Sequence, residues 1–145
     1  MKSKTAARQE FLPLMRELVR AYQAFAAYDA AGYQDSGLTV PQADVIFSLG
    51  NTDGMTLGEI GEKTLITKGT LTGIVDRLEN KGLVVREACD TDRRCTIARL
   101  TAEGERVFER EFPRQIQYLK KRFDRLSAAE QKAALRSLKK LCNIF

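Results

Sequence analysis

Thr56–Gly82, "TLGEIGEKTLITKGTLTGIVDRLENKG", is the stretch whose pattern decides the fold. Thr56 precedes a short helical segment, "LGEIGEKT", and its hydroxyl suits an N-cap. Leu65 and Ile66 then form an apolar turn. Thr67 caps a second helix, "KGTLTGIVDRLENKG", in which Leu71, Ile74, Val75 and Leu78 recur at helical spacing and predict one buried stripe. Gly82 stops that helix. Beyond it, "LVVREAC" and "CTIARL" are short β-branched runs on either side of "DTDRR", the pattern of a hairpin.

The flanks read as helices. From Arg8 to about Tyr33, the residues Phe11, Met15, Leu18, Tyr22 and Phe25 share one face, and Gly32 with "QDSG" ends the run. Thr39 is an N-cap with Pro41 close behind, and a helix follows to Leu49, with Val40, Ile46, Phe47 and Leu49 as its apolar set before "GNTDG". Thr101 opens a long helix with Glu103 and Glu105 in its first turn, where acids suit the helix dipole. Its seam is Phe112, Ile116, Leu119, Phe123 and Leu126, and Pro113 within it is a kink signal. Ser127 with Glu130 forms a capping-box pattern for a last helix, carrying Leu135, Leu138, Leu141, Cys142 and Phe145. The expected fold is mainly α with a small β-hairpin wing. It is a winged helix-turn-helix with flanking N- and C-terminal dimerisation helices. Residues 1–145 form a single domain, with the winged lobe at 39–104 and the dimerisation helices at 8–33 and 105–145.

Composition narrows the function. At 43% hydrophobic and 30% charged, the 145 residues are globular rather than disordered. There is no histidine, which removes the commonest general base and metal ligand. No nucleotide-binding glycine loop or nucleophile elbow is present, so neither an enzyme nor a cofactor or metal is expected. Cys89, Cys95 and Cys142 make an odd count without metal-like spacing, which argues against a disulfide framework. The charged N-terminus lacks a signal-peptide pattern, and no apolar run is long enough for a membrane span, so a cytoplasmic protein is expected. The net charge of +5 is unevenly spread. The segment Glu105–Phe145 holds eleven basic and five acidic residues, whereas Thr56–Gly104 holds eight of each. That excess suits a polyanion partner, or simply a solvated helix face.

The second helix of a helix-turn-helix enters the major groove with its N-terminal part. Its polar outer face here consists of Thr67, Lys68, Thr70, Thr72 and Arg77, beside Gly69. Threonine hydroxyls serve bases or phosphates, and lysine and arginine suit phosphates. Read singly, these are also ordinary cap and solvent-side residues. Arg93 and Arg94 at the hairpin tip fit a narrow minor groove. Asp92 is placed to hold Arg94, and Asp90 to cap the turn. The plainer reading of the pair is a surface ion pair worth at most about 1 kcal/mol.

With these motifs the chain resembles the MarR-type (multiple antibiotic resistance regulator) transcriptional regulators. "DTDRRCTIARLTAEG" resembles the family's wing and exit, "TLGEIGEKTLITKGTLTGIVDRLENKGLVVRE" its recognition region, and "LTVPQADVIFSL" its second helix. The resemblance implies a homodimer that binds a pseudo-palindromic double-stranded operator. It further implies a repressor released by a small effector, often a phenolic or lipophilic acid, or by thiol oxidation. The recognition helix 67–81 would sit in the major groove, with Arg94 in the minor groove, Asp92 as its holder and Arg93 as an auxiliary contact. Candidate effector-lining residues are Tyr22, Phe25, Tyr28 and Phe47, each of which also reads as plain core. Cys89 and Cys95 flank the wing turn and are the redox candidates. The alternatives are a thiol-redox-responsive regulator and a winged-helix module that binds protein rather than DNA.

Overall fold

The computed structural model describes residues 2–90 and 94–145. A short helix α1 (Ser3–Ala6) precedes α2 (Leu12–Ala31). Then come α3 (Val40–Leu49), β1 (Met55–Thr56), α4 (Leu57–Thr64) and α5 (Lys68–Asn80). The chain continues through β2 (Val84–Ala88) and β3 (Thr96–Leu100) to α6 (Ala102–Phe123) and α7 (Ala128–Cys142).

Side-chain caps set the helix starts. Thr39, Thr56 and Ser127 each accept a backbone N–H three residues on, while Gln42, Glu59 and Glu130 reach back to the capping residue, closing reciprocal capping boxes. Hydrogen bonds from Thr56 and Ser127 hold the Glu59 and Glu130 carboxyls below the usual carboxylate pKa. Thr67 departs from its expected role. It occupies the N-cap position of α5 without a side-chain cap bond, and its hydroxyl instead donates to the Thr70 hydroxyl at 3.1 Å.

The core lies inside the winged lobe. Leu71, Ile74, Val75 and Leu78 of α5, the four expected from the spacing, are buried against Val45, Ile46 and Leu49 of α3 and Ile60 of α4. The sheet has three strands, not the two of a bare hairpin. Its order is β1-β3-β2, all antiparallel, with Met55 opposite Ala98 and Val84 opposite Leu100. The run "LTAEG" locks the sheet to α6. Thr101 donates its hydroxyl to Gly82 O at 2.6 Å and accepts the Gly104 N–H at 3.1 Å. A Cβ at residue 104 would lie 2.0 Å from Leu83 O, so only glycine fits this approach. α6 runs on through Pro113 to Phe123.

The long helices bury little. α2 and α7 contain no buried residue. The buried residues of α6 are Gly104, Val107, Phe108, Glu111 and Gln115, one face away from the seam expected from sequence. Of that seam, Ile116, Phe123 and Leu126 are exposed.

Candidate nucleic-acid interface

The buried stripe of α5 turns the opposite face outward. Thr67, Lys68, Gly69, Thr70, Thr72 and Arg77 are all exposed, as the pattern predicts. Nothing lies within 4 Å of where a Cβ at Gly69 or Gly73 would project, so this face is open to a large ligand. All three threonines are locally engaged: Thr72 donates to Lys68 O at 3.1 Å, and Thr67 to the Thr70 hydroxyl. The turn before α5 is made by Leu65, which takes a left-handed conformation (φ 60°) and is largely exposed, while Ile66 packs against the core. Leu65 and Ile66 thus form the expected apolar turn, with Ile66 against the core and Leu65 exposed.

The wing is tied to α5 by a residue that the motif reading did not single out. Arg86 of β2 donates to Glu79 Oε2 through Nε (3.0 Å) and Nη2 (2.7 Å), and to Asp76 Oδ1 at 2.5 Å. The two carboxylates raise its pKa further. A second ion pair, Arg99 to Glu87, links β3 to β2. The tip itself, Thr91 to Arg93, lies outside the described residues, so the Asp92 and Arg93 assignments cannot be placed. Arg94 is exposed in the turn. Cys89 and Cys95 face each other across the hairpin with Cα atoms 5.3 Å apart and are joined by a disulfide, and Cys89 N–H donates to Cys95 O at 2.9 Å. The odd cysteine count thus conceals one local bridge. Cys142, expected in a packed seam, is exposed and free in the single chain.

A separate cleft of about 760 Å³ opens where α2, α3 and α6 meet the α4–α5 turn. Tyr22, Phe25 and Phe47 line it, together with Asp29, Tyr33, Asp44 and Gln115. Tyr28, proposed for the same lining, is elsewhere. It stacks on Tyr118 with ring centroids 4.4 Å apart, donates to Tyr118 O, and lies under Arg122 at 4.7 Å. Burial and the neighbouring Asp29 and Asp44 raise the Tyr33 pKa. Burial, then Asp29, raises that of Asp44. Among the described residues no metal-binding cluster is present, and no helix is long and apolar enough to cross a membrane.

Comparison with known proteins matches this arrangement. A MarR family model matches residues 36–94, the span from the approach to α3 through the wing turn. The HTH-type transcriptional regulator MhqR of Bacillus subtilis is 30% identical over 133 residues, 92% of each chain. Among solved structures, the MarR family regulator Sco3205 of Streptomyces coelicolor, in complex with DNA, superposes with a TM-score of 0.81. It is 26% identical, over 89% of this chain and 83% of that one. BpsR of Bordetella bronchiseptica, whose DNA binding is regulated by 6-hydroxynicotinic acid, gives a TM-score of 0.78 and 28% identity, over 90% of this chain and 98% of that one. With its helix-turn-helix, its wing and these relatives all in agreement, the chain belongs to the MarR family of transcriptional regulators and is not an enzyme.

Proposed function

We propose that the protein is a dimeric, sequence-specific double-stranded DNA-binding repressor that a small-molecule effector releases from its operator. One observation carries this reading. The polar residues Thr67, Lys68, Thr70 and Thr72 stand exposed on the first turns of α5, whose opposite face is anchored by four buried apolar side chains. A rigid helix with an open, hydrogen-bonding N-terminal face suits the major groove. Arg77 serves phosphate further along, and Arg94, with Asp92 and Arg93 beside it in sequence, serves the minor groove. Sco3205, similar over most of its length, has been solved with DNA bound. Exposed apolar residues on α2, α6 and α7, among them Met15, Phe25, Phe123 and Leu135, supply the surface for a second copy. The cleft between α2, α3 and α6 is the effector site, with Tyr22, Phe25 and Phe47 in its walls. A salt series of fluorescence anisotropy on duplex from the region upstream of the protein's own gene tests the reading. Lys68→Ala should flatten the salt slope by about one. Absence of any duplex affinity at moderate salt would instead assign the winged helix to a protein partner.

The Cys89–Cys95 disulfide supports a second reading, a thiol-redox-responsive regulator. A dithiol reductant transfers two electrons and two protons to the bridge, giving two cysteine thiols and an oxidised dithiol. That would loosen the base of the wing that carries Arg94. Equal DNA affinity before and after reduction, with the thiols counted, would remove this reading.

A further inference from the structure

Among the described residues, every charged group lining the cleft is an acid: Asp29 of α2 and Asp44 of α3 line it, and no lysine or arginine does. Among the described residues neither carboxylate is in an ion pair. Asp29 Oδ1 accepts a hydrogen bond only from the neutral Gln115 side chain, at 2.7 Å. Lys63 shares an adjacent groove with Asp44 but donates its ammonium to Ser48 O at 3.3 Å. Gln115 lines the cleft as well and is only 3% exposed, and its Oε1 accepts nothing among the described residues. Among the described residues, the charged groups of the lining that lack a countercharge are therefore both acceptors, the carboxylates of Asp29 and Asp44. The remaining polar side chains of the lining, the hydroxyls of Tyr22, Tyr33 and Thr64, are neutral.

The apolar walls agree with this polarity. Tyr22, Phe25, Tyr33 and Phe47 present aromatic rings to the same space, and ring faces attract cations as well as other rings. An aromatic carboxylate placed there would add a third negative charge to a partly desolvated site, with no guanidinium or ammonium to pair with it. A protonated amine would meet two carboxylates and ring faces. Burial, then the charge of Asp29, raises the Asp44 pKa, and a cation seated between the two carboxylates would relieve that repulsion.

Taking the cleft as the effector site, we propose that it takes an aromatic ligand carrying a positive charge, such as a protonated amine, rather than an aromatic carboxylate. The selecting groups are Asp44 and Asp29. The proposal rests on the effector-site reading above and adds the sign of the ligand's charge.

Calorimetric titration of the full chain with tyramine and with 4-hydroxyphenylacetate tests it, because the two share a phenol and differ in charge. Tyramine should bind roughly tenfold or more tighter, as expected for one favourable rather than one unfavourable charge contact at intermediate dielectric. Asp44→Asn, which keeps the side-chain shape, should weaken tyramine by roughly tenfold and leave 4-hydroxyphenylacetate equal or improved. Asp29→Asn should act in the same direction, and a melting curve of each variant confirms that it is folded. Tighter binding of 4-hydroxyphenylacetate, or tyramine affinity unchanged in both variants, would overturn the proposed charge preference while leaving the effector site standing. If neither compound binds the chain or changes its affinity for duplex, the effector reading of the cleft falls together with the proposal.

Discussion

Asp44 illustrates what a single half-buried carboxylate does here. Burial, then the nearby Asp29, raises its pKa above the ordinary 3.8. The native state then binds the proton more tightly than the unfolded chain, so ionising Asp44 lowers stability as pH rises past 3.8 towards the folded value. Asp44→Asn should raise Tm by a few degrees at pH 7, and the gap should narrow as pH falls towards about 4. A gap independent of pH would show that the carboxylate is solvated. Gly104 is the opposite case, in which shape alone decides. Because an added Cβ would meet a backbone oxygen, Leu83 O, at 2.0 Å, Gly104→Ala should cost about 1–3 kcal/mol in urea unfolding. A cost near zero would mean that α6 shifts freely against the sheet.

At the scale of elements, the short helix α4 depends on its cap. Thr56→Ala removes the acceptor for Glu59 N–H and the hydroxyl donor to the Glu59 carboxylate while keeping the backbone N–H donor, and should destabilise the lobe by about 1 kcal/mol. The depressed Glu59 pKa means that its contribution is present above the unfolded value of 4.5 and lost as pH falls through the lower folded value. The native–variant gap in denaturation midpoint should therefore narrow in acid, by the share that the Thr56 hydroxyl gives to the carboxylate. Caps, helix periodicity and the hairpin were legible in the sequence because they are written in residues three or four apart. β1 was not, since two residues carry no periodicity and only pairing with β3, some forty residues on, makes Met55 and Thr56 a strand. The Arg86 tie was missed for a similar reason: it joins β2 to α5 across the Gly82 turn, outside any local spacing rule. Tyr28 was grouped with Tyr22 by residue type, yet six residues along a helix turns it about 120° away from Tyr22. The Cys89–Cys95 bridge was visible only as two cysteines flanking a turn, and their pairing needed the strand register.

The whole molecule shows a well-packed lobe attached to helices whose apolar residues are uncovered. Leu135 and Leu138 of α7 are each about half exposed, and Phe145 beyond it almost fully. Apolar seams of this extent on long helices fit an isologous contact with a second copy. Leu135→Glu with Leu138→Glu should shift the protein to monomer in light-scattering chromatography and reduce duplex affinity severely, while the lobe keeps its melting transition. A dimer that survives both changes would place the interface elsewhere. A two-fold dimer also requires two half-sites, spaced about one helical turn apart.

The central claim is that α5 and the wing read duplex DNA as a two-fold pair. Selection of binding sites from a random duplex pool, run in parallel on the native protein and on Arg94→Ala, tests it most directly. The native protein should enrich a symmetric site with half-sites about ten base pairs apart. The variant should bind it about 1–3 kcal/mol more weakly, with the loss concentrated at the outer A/T positions. No enriched sequence at moderate salt, or an enriched site that the variant binds equally well, would contradict it.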